Sequence, residues 1–416
     1  MTEFRKNLIT LVSGAGLVQA IPLLLTPVLT RFYAPSDFGL LATFTAFVSV
    51  LGVVVCGRYE LTVMHAKNKV ELSNLLTLSA LVTLIGSVLI GCVTFAGADH
   101  IARFLGKSTL EPWVKWSALP IFATGIMQIY AIYFAREKKY PSLVRGRVLQ
   151  SVATGLIGVV IGLGHYGFVG LLAGYVLGLV AAGIYFFRTL RWTMQGVSRL
   201  RLRVLLVRYR QYPLFSAPAA LLDTATQSVV VFMLSRFYSS DTLGYYSQSH
   251  RLLIIPLALI GASVAQAFFQ HASEQRRQKQ PLLTLLNQTS LKLLIYSIPC
   301  FVLFVLLAPF MFELVLGKGW STAGEYGRVV AVAYLVRLAV SPVSSVFLVV
   351  ERVRVGALWQ LIYFCCSFTV LTLVAWLRVP VKTFLIVYAV HEVILYGLYF
   401  AFARYVCKAD DMKRLA

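Results

Sequence analysis

Apolar residues fill the chain in long runs, which charged and turn-forming residues interrupt at intervals. A helix that crosses a membrane needs about 20 predominantly apolar residues, so runs of this length predict transmembrane helices. Backbone polar groups cannot stay unpaired in lipid, and the runs lack the alternation of a barrel strand, so we predict an all-α integral membrane protein. Twelve spans are predicted, near residues 8–30, 39–57, 73–97, 114–135, 148–164, 167–187, 213–235, 251–271, 289–316, 329–350, 356–377 and 383–403.

The composition agrees with an all-α membrane fold, and in such a fold the basic net charge has a different interpretation than in a soluble protein. Of the 416 residues, 59% are hydrophobic and 13% are charged, and the formal net charge is +22. In a soluble protein, such a basic excess would favour a nucleic-acid partner. When the loops are assigned alternately to two sides of a membrane, one side carries 26 basic residues and the other carries 7. The positive-inside rule therefore predicts that both termini are cytoplasmic, and we expect no nucleic-acid partner.

One short motif occurs twice in the sequence. Residues 29–33 (LTRFY), followed by Gly39, return as residues 234–238 (LSRFY), followed by Gly244, at an offset of 205 residues. Each copy ends an odd-numbered span on the outer side, which favours two six-helix bundles related by a parallel repeat over a chance similarity of two turns. The predicted parts are an N-terminal bundle at 1–187, a basic cytoplasmic linker at 188–212 and a C-terminal bundle at 213–416.

The residue patterns of an enzyme or a metalloprotein are missing from the sequence. Gly106-Lys107-Ser108 is not a phosphate-binding loop, because Ile101 stands where that loop requires its first glycine. The pair at 391–392 (HE) has no second histidine at metalloprotease spacing, and no G-x-S-x-G elbow occurs. The six cysteines form no CxxC pair. We therefore predict a protein that is not an enzyme and that holds no cofactor or metal.

Polar side chains inside the predicted spans of the second half indicate chemistry within the membrane. A charge at the bilayer centre costs about 2.5–3.5 kcal/mol on insertion scales, so it usually faces a cavity or a partner. Hydroxyl and amide side chains also hold neighbouring helices together, and for these side chains that alternative stays open. The residues predicted to line a cavity or to couple transport to an ion are Asp223, Gln227, Gln266, Gln360 and Glu392.

Three stretches of the sequence form a recognisable set, at 29–39 (LTRFYAPSDFG), 57–60 (GRYE) and 243–247 (LGYYS), the last followed by Arg251 and Pro256. Together they resemble the Wzx-type polysaccharide and O-antigen flippases of the multidrug/oligosaccharidyl-lipid/polysaccharide exporter superfamily. The resemblance implies a V-shaped pair of bundles around a cationic cavity. It also implies a flippase that moves an undecaprenyl-diphosphate-linked oligosaccharide from the cytoplasmic to the outer leaflet of a bacterial inner membrane. The cargo would be an O-antigen unit for lipopolysaccharide or a unit of another surface polysaccharide, and a glycan polymerase complex and membrane lipids would be the partners.

The chemistry of this cargo selects candidate binding residues. A diphosphate headgroup is anionic, and the guanidinium group presents forked donors that suit phosphate oxygens. Arg58 and Glu60 are two residues apart, so we predict that they lie on opposite faces of a helix, with Arg58 toward the cargo. Outward movement of an anion follows an inside-negative potential, so flipping needs no ATP. The predicted substrate-binding residues are Arg31, Arg58, Arg251 and Arg337.

Two other classes of function remain as alternatives. The first is an ion-coupled exporter of small drugs or metabolites with the same layout, in which Asp223 and Glu392 would be the coupling carboxylates. The second is a membrane enzyme such as a glycan polymerase, which the missing large outer loop and the missing catalytic residues disfavour.

The charge distribution yields a prediction about topology. Single cysteines placed at Ser198 and at Ser36, in a variant whose six native cysteines are replaced, should label oppositely when intact cells meet an impermeant maleimide. We expect Ser36→Cys to label from outside and Ser198→Cys to label only after the membrane is opened. Labelling of both positions from outside would contradict the topology.

Overall fold

The computed structural model describes residues 3–189 and 196–415, and every element in these two stretches is helical. Eleven of the described helices are long and apolar enough to cross a membrane, and a shorter apolar helix at Gly16–Phe32 overlaps the first predicted span. The all-α membrane fold predicted from the sequence is therefore confirmed. Part of the predicted linker, residues 190–195, lies outside the described residues.

Contacts group the chain into two units, Met1–Gly244 and Tyr245–Ala416. The linker predicted at 188–212 separates two halves by their repeated topology. Contact grouping does not test this division, so it stays a prediction. The described helices of the first unit are α1 (Glu3–Phe32), α2 (Pro35–Gly52), α3 (Lys69–Ala96), α4 (Ala98–Phe104), α5 (Glu111–Lys115), α6 (Ala118–Arg136), α7 (Tyr140–Gly162), α8 (Phe168–Thr189), α9 (Arg199–Arg208) and α10 (Ala217–Phe237).

Helix α11 (Ser240–Pro256) begins at the end of the first unit and continues into the second. The other described helices of the second unit are α12 (Ala262–Arg277), α13 (Leu282–Leu316), α14 (Ser321–Val340), α15 (Val346–Val349), α16 (Val353–Trp376) and α17 (Val381–Leu415). Among these, α14 packs against α13 and α17.

Helices of the first unit approach one another at glycines. Gly174 and Gly178 of α8 lie against Thr154 of α7, where a Cβ atom on Gly174 would stand 2.5 Å from the Thr154 carbonyl oxygen. Gly155 of α7 lies in the same way against the side chain of Leu25 in α1. In lipid, helices associate through close packing, and small residues allow their backbones to come near.

The two copies of the repeated motif have the same local structure and touch each other. In each copy a helix ends, a short turn follows and a capped helix begins. The Ala34 N–H donates to the Asp37 carboxylate at 3.0 Å in the first copy, and the Thr242 N–H donates to the Ser239 hydroxyl at 3.1 Å in the second. The start of α2 therefore meets the start of α11, and these capped turns fix both starting points.

The contact between the copies is reciprocal at two glycines. A Cβ atom on Gly39 would lie 2.9 Å from the carbonyl carbon of Ser240 and closer to its oxygen. A Cβ atom on Gly244 would lie 2.5 Å from the carbonyl carbon of Pro35 and also closer to its oxygen. Gly39 and Gly244 hold equivalent places in the repeat, so each copy supplies the glycine that admits the backbone of the other.

The second span differs from its predicted bounds of 39–57. It begins at Pro35, because proline and the Asp37 cap start the helix there, and it ends at Gly52. A turn then follows in which Gly57 and Arg58 have φ values of 56° and 59°, and a 3-10 helix occupies Tyr59–His65. The α-helix has therefore ended before Arg58 is reached, and Arg58 lies in the turn that follows.

The eighth span also differs from its predicted bounds of 251–271, since α11 and α12 form one long helix with a π-helical turn at Leu257–Gly261. This turn follows Pro256, which has no N–H to donate. Pro342 has the same effect in the tenth span, where a 3-10 turn at Ser341–Ser345 separates α14 from α15. Both interruptions lie beside a cavity described below.

The reciprocal contact yields a prediction about stability. Gly39→Ala places a methyl group against the Ser240 carbonyl, so we expect a loss of about 1–3 kcal/mol and a lower melting temperature of the purified protein. Gly183→Ala is the matched control, because a Cβ atom at this helical glycine of α8 meets nothing within 4 Å. Equal melting temperatures for the two variants would show that the contact is not tight.

Candidate functional site

Arg58 pairs with a buried carboxylate at the end of the second span. Its Nη1 atom lies 3.3 Å from Oε1 of Glu60, and the side chains are 23% and 2% exposed. The prediction that these two residues lie on opposite faces of a helix is wrong. Arg58 adopts the left-handed conformation before the 3-10 helix begins, so helical spacing does not apply to the pair.

The environment of Glu60 explains why it needs a cationic neighbour. Burial raises the pKa of the Glu60 carboxyl, and the positive charge of Arg58 opposes that shift. The Nε atom of Arg58 is buried and has no hydrogen-bond partner among the described residues. The ion pair thus places Glu60 on one side of the guanidinium, and the two Glu60 carboxylate oxygens accept no hydrogen bond among the described residues.

The segment that carries this pair is fixed to its surroundings by several hydrogen bonds. The Tyr59 hydroxyl donates to the Leu206 carbonyl at 3.0 Å, and Arg136 donates to the Ala66 carbonyl at 2.8 Å. His65 Nε2 lies 2.9 Å from the Tyr212 hydroxyl. Val63 is fully buried in the apolar core that α3 and α6 share with this segment.

A second group of buried charges lies in the second unit. Arg337 of α14 interacts electrostatically with the buried Glu392 of α17. The Arg337 guanidinium lies 5.9 Å from the ring centre of Tyr396. The Tyr363 hydroxyl donates to the Glu392 carboxylate. His391 Nδ1 lies 3.8 Å from Glu392 Oε1. Two predicted residues, Arg337 and Glu392, are therefore brought together.

Aromatic residues from a third helix complete this group. Tyr246 and His250 lie one turn apart on α11 and stack on each other, with ring centres 5.9 Å apart. His250 is hydrogen-bonded to the hydroxyl of Tyr334, and Tyr246 contacts the ring of Tyr388. Neither Tyr246, which lies in the stretch 243–247, nor His250 is among the site residues predicted from the sequence. Their spacing of four residues in an apolar helix was the signal available.

A cavity of ≈ 240 Å³ adjoins Arg337. Leu257 and Gly261 of the π-helical turn line it on one side, and Ser341 and Pro342 of the 3-10 turn line it on the other. The two helix interruptions therefore open space beside the half-buried guanidinium of Arg337.

The remaining predicted residues are distributed over several elements. Gln227 donates to the Asp223 carboxylate at 3.1 Å, and both residues are exposed on α10. Gln266 is exposed on α12, whereas Gln360 of α16 and Arg251 of α11 are half-buried.

Arg31 is exposed in the last turn of α1, before the second span begins. Arg58 follows the end of that span. Since α2 has 18 residues, these two arginines lie at opposite ends of a helix about 27 Å long. They cannot contact one diphosphate at the same time.

Comparison with solved structures identifies the fold. The structure is similar to the inward closed conformation of the lipid II flippase MurJ, with a TM-score of 0.75 at 11% identity over 96% of this chain and 89% of that chain. It is also similar to an inward-facing multidrug resistance MATE family transporter of the MOP superfamily, with a TM-score of 0.69 at 12% identity over 94% and 95% of the two chains. A third similar structure is the MATE transporter ClbM in complex with Rb+, with a TM-score of 0.57 at 16% identity over 96% of each chain.

The chain thus has the fold of a multi-pass membrane protein, similar to the folds of MurJ and of the MATE family transporters. The chain belongs to the family described as polysaccharide biosynthesis protein, whose model matches residues 28–325. Comparison with curated protein sequences gives no match. The family resemblance carried by the stretches at 29–39, 57–60 and 243–247 is therefore confirmed at the level of family and fold.

The buried carboxylate in the second unit yields a prediction. Tyr363→Phe removes the hydroxyl that donates to Glu392, so we expect a loss of about 1–3 kcal/mol in the free energy of unfolding. Tyr405→Phe, at an exposed tyrosine of α17, is the matched control and should leave stability unchanged. Adding Glu392→Gln to Tyr363→Phe should cost less than the sum of the single losses, and strict additivity would show that the two groups act independently.

Proposed function

We propose that this protein is a flippase that carries an undecaprenyl-diphosphate-linked oligosaccharide from the cytoplasmic to the outer leaflet of a bacterial inner membrane by alternating access. The family description and the fold similar to that of a lipid II flippase support the class of cargo. The observation that carries the proposal is the orientation of Arg58 by the buried carboxylate of Glu60 at the end of the second span. By the charge distribution this end faces the cytoplasm, where both termini also lie.

Arg58 receives the diphosphate in this proposal. A guanidinium group binds phosphate oxygens through parallel N–H donors, and the Arg58–Glu60 ion pair orients the group before the cargo arrives. Before binding, Glu60 alone attracts the Arg58 guanidinium. When the diphosphate binds, its negative charge attracts the same guanidinium. Two or more negative charges moving outward follow an inside-negative potential, which is worth about 2.3 kcal/mol per charge per 100 mV, so no nucleotide is needed.

Arg337, Arg251 and the polar side chains Asp223, Gln227, Gln266, Gln360 and Glu392 line the path in this proposal. The support is the cavity beside Arg337, where a serine side chain and a half-buried guanidinium adjoin open space. Arg31 lies at the far end of the second span and would meet the headgroup only late in transport. A glycan polymerase complex that receives the flipped cargo is the partner we propose.

An ion-coupled exporter is the second candidate function. The buried Glu392 favours it, because a carboxylate that a tyrosine hydroxyl holds beside a histidine and an arginine can exchange a proton or bind a cation. A similar structure, that of ClbM, is described as a complex with Rb+. In this alternative, Asp223 and Glu392 couple ion entry to the export of a small molecule.

Deletion of the gene separates the two functions. A flippase mutant should lose its surface glycan and accumulate the lipid-linked oligosaccharide on the cytoplasmic side. An exporter mutant should keep its glycan and become sensitive to a drug or retain a metabolite. Complementation with the intact gene confirms that either defect belongs to this protein.

Arg58 gives the sharpest prediction of the flippase proposal. Arg58→Lys keeps the charge but loses the planar fork, so we expect glycan export to fall about tenfold at normal membrane abundance. Arg58→Ala should fall further. Arg277→Lys and Arg277→Ala are the matched controls, because Arg277 is exposed at the end of α12 on the side predicted to be cytoplasmic. Full export by both Arg58 variants would contradict its role.

A further inference from the structure

Helix α9 has one apolar face that the protein covers. Leu205 is buried, and Leu202 and Tyr209 pack with it against the core of the first unit. The three residues follow a spacing of three and four, which places them on one side of the helix. This face therefore holds the helix against α3 and the segment that follows α2.

The opposite face of α9 is also apolar, and it is exposed. Leu200, Val204 and Val207 are 74%, 56% and 54% exposed, and their spacing of four and three residues forms one continuous stripe. Leu214 and Phe215 extend the exposed apolar surface just beyond the helix. A row of this kind beside a membrane-spanning bundle belongs in an apolar medium, because water does not favour it.

Arginines flank this exposed stripe on both sides. At 100° per residue, Arg201 and Arg208 fall on one side of the stripe, and Arg199 and Arg203 fall on the other. All four are exposed. The sequence from 196 to 215 contains no aspartate or glutamate. A helix with an apolar stripe between two basic rows fits the boundary of a bilayer, where the stripe enters the acyl region and the arginines reach the phosphates.

We propose that the outer face of α9 binds anionic phospholipids of the leaflet in which it lies, which is the cytoplasmic leaflet by the charge distribution. Charge complementarity selects the occupant, since the segment 196–215 contains five arginines and no acidic residue, and Glu71 of α3 pairs with one of them, Arg208. A zwitterionic headgroup offers phosphates with no net charge, whereas phosphatidylglycerol or cardiolipin offers net negative charge. This inference depends on the helix and not on the cargo proposed above.

The position of α9 gives lipid binding a consequence for the candidate site. The Leu206 carbonyl of α9 accepts the hydrogen bond of Tyr59, the residue that follows Arg58. Arg208 lies 3.4 Å from Glu71 at the start of α3, and the Asn74 side chain donates to the Gly196 carbonyl at 3.1 Å. A helix held in the interface therefore supports the segment that orients Arg58 and makes its position sensitive to the charge of the membrane.

Lipid quenching tests the proposal on the full chain. A fluorophore on Val204→Cys, in a variant without the six native cysteines, is measured in phosphatidylcholine vesicles with a trace of nitroxide-labelled phosphatidylglycerol or phosphatidylcholine. We expect the labelled phosphatidylglycerol to quench about threefold more effectively. The same fluorophore on Leu89→Cys, an exposed position of α3, is the reference and should be quenched equally by both lipids.

Two charge variants distinguish lipid binding by the arginines of α9 from a general attraction of the basic protein to anionic lipids. Replacing Arg199, Arg203 and Arg210 by glutamine should abolish the preference at position 204. The matched control replaces three exposed basic residues of other loops on the same predicted side by glutamine, namely Arg277, Lys279 and Lys408, and it should keep the preference.

Added salt gives a second measurement on the unchanged helix. High potassium chloride should weaken the preference for phosphatidylglycerol, because salt screens charges at the membrane surface. Equal quenching by the two lipids at position 204 would overturn the proposal. Absence of quenching by either lipid would overturn it as well and would assign the stripe to a protein partner or a second copy of this chain.

Discussion

Close approach of helix backbones is the interaction on which this structure depends. Inside a bilayer the lipid tails are as apolar as leucine, so no hydrophobic force drives one helix onto another, and packing must supply the attraction. Glycines on α7 and α8 allow it in the first unit, and Gly324 packs against Pro309 in the second. Once the helices lie this close, few positions can accommodate a buried charge. The charges that remain are therefore held by specific partners, and these partners define the candidate site.

Buried charge is stabilised in two different ways in this protein. Arg58 and Glu60 form a local pair, which a left-handed turn brings together within three residues of sequence. Arg337 and Glu392 come from helices that are distant in sequence, and tyrosine hydroxyls and rings surround them. Breaking a buried pair is costly, because the remaining partner loses its compensation. The local pair depends on a single turn of backbone, whereas the distant group requires several helices to keep their places.

Much of the fold could be predicted from the sequence, because long apolar runs without strand alternation cross lipid as α-helices. The motif at 29–39 also contains its own helix start, with proline and Asp37 in the first turn. Other features have no local signal. No pattern in the sequence marks the left-handed conformation of Arg58, a residue type that rarely adopts it. The contribution of Tyr246 and His250 requires knowing which helices are neighbours, and that information is tertiary.

The reciprocal contact of Gly39 and Gly244 has a consequence for how sequences of this kind diverge. A Cβ atom at either glycine would separate the same two helix starts, so the loss of one removes the space constraint that retains the other. Selection then acts on the two glycines jointly, although they are 205 residues apart in the sequence. Across descendants of this sequence the two glycines should be kept together or lost together, and a lineage with only one of them would be a short-lived intermediate.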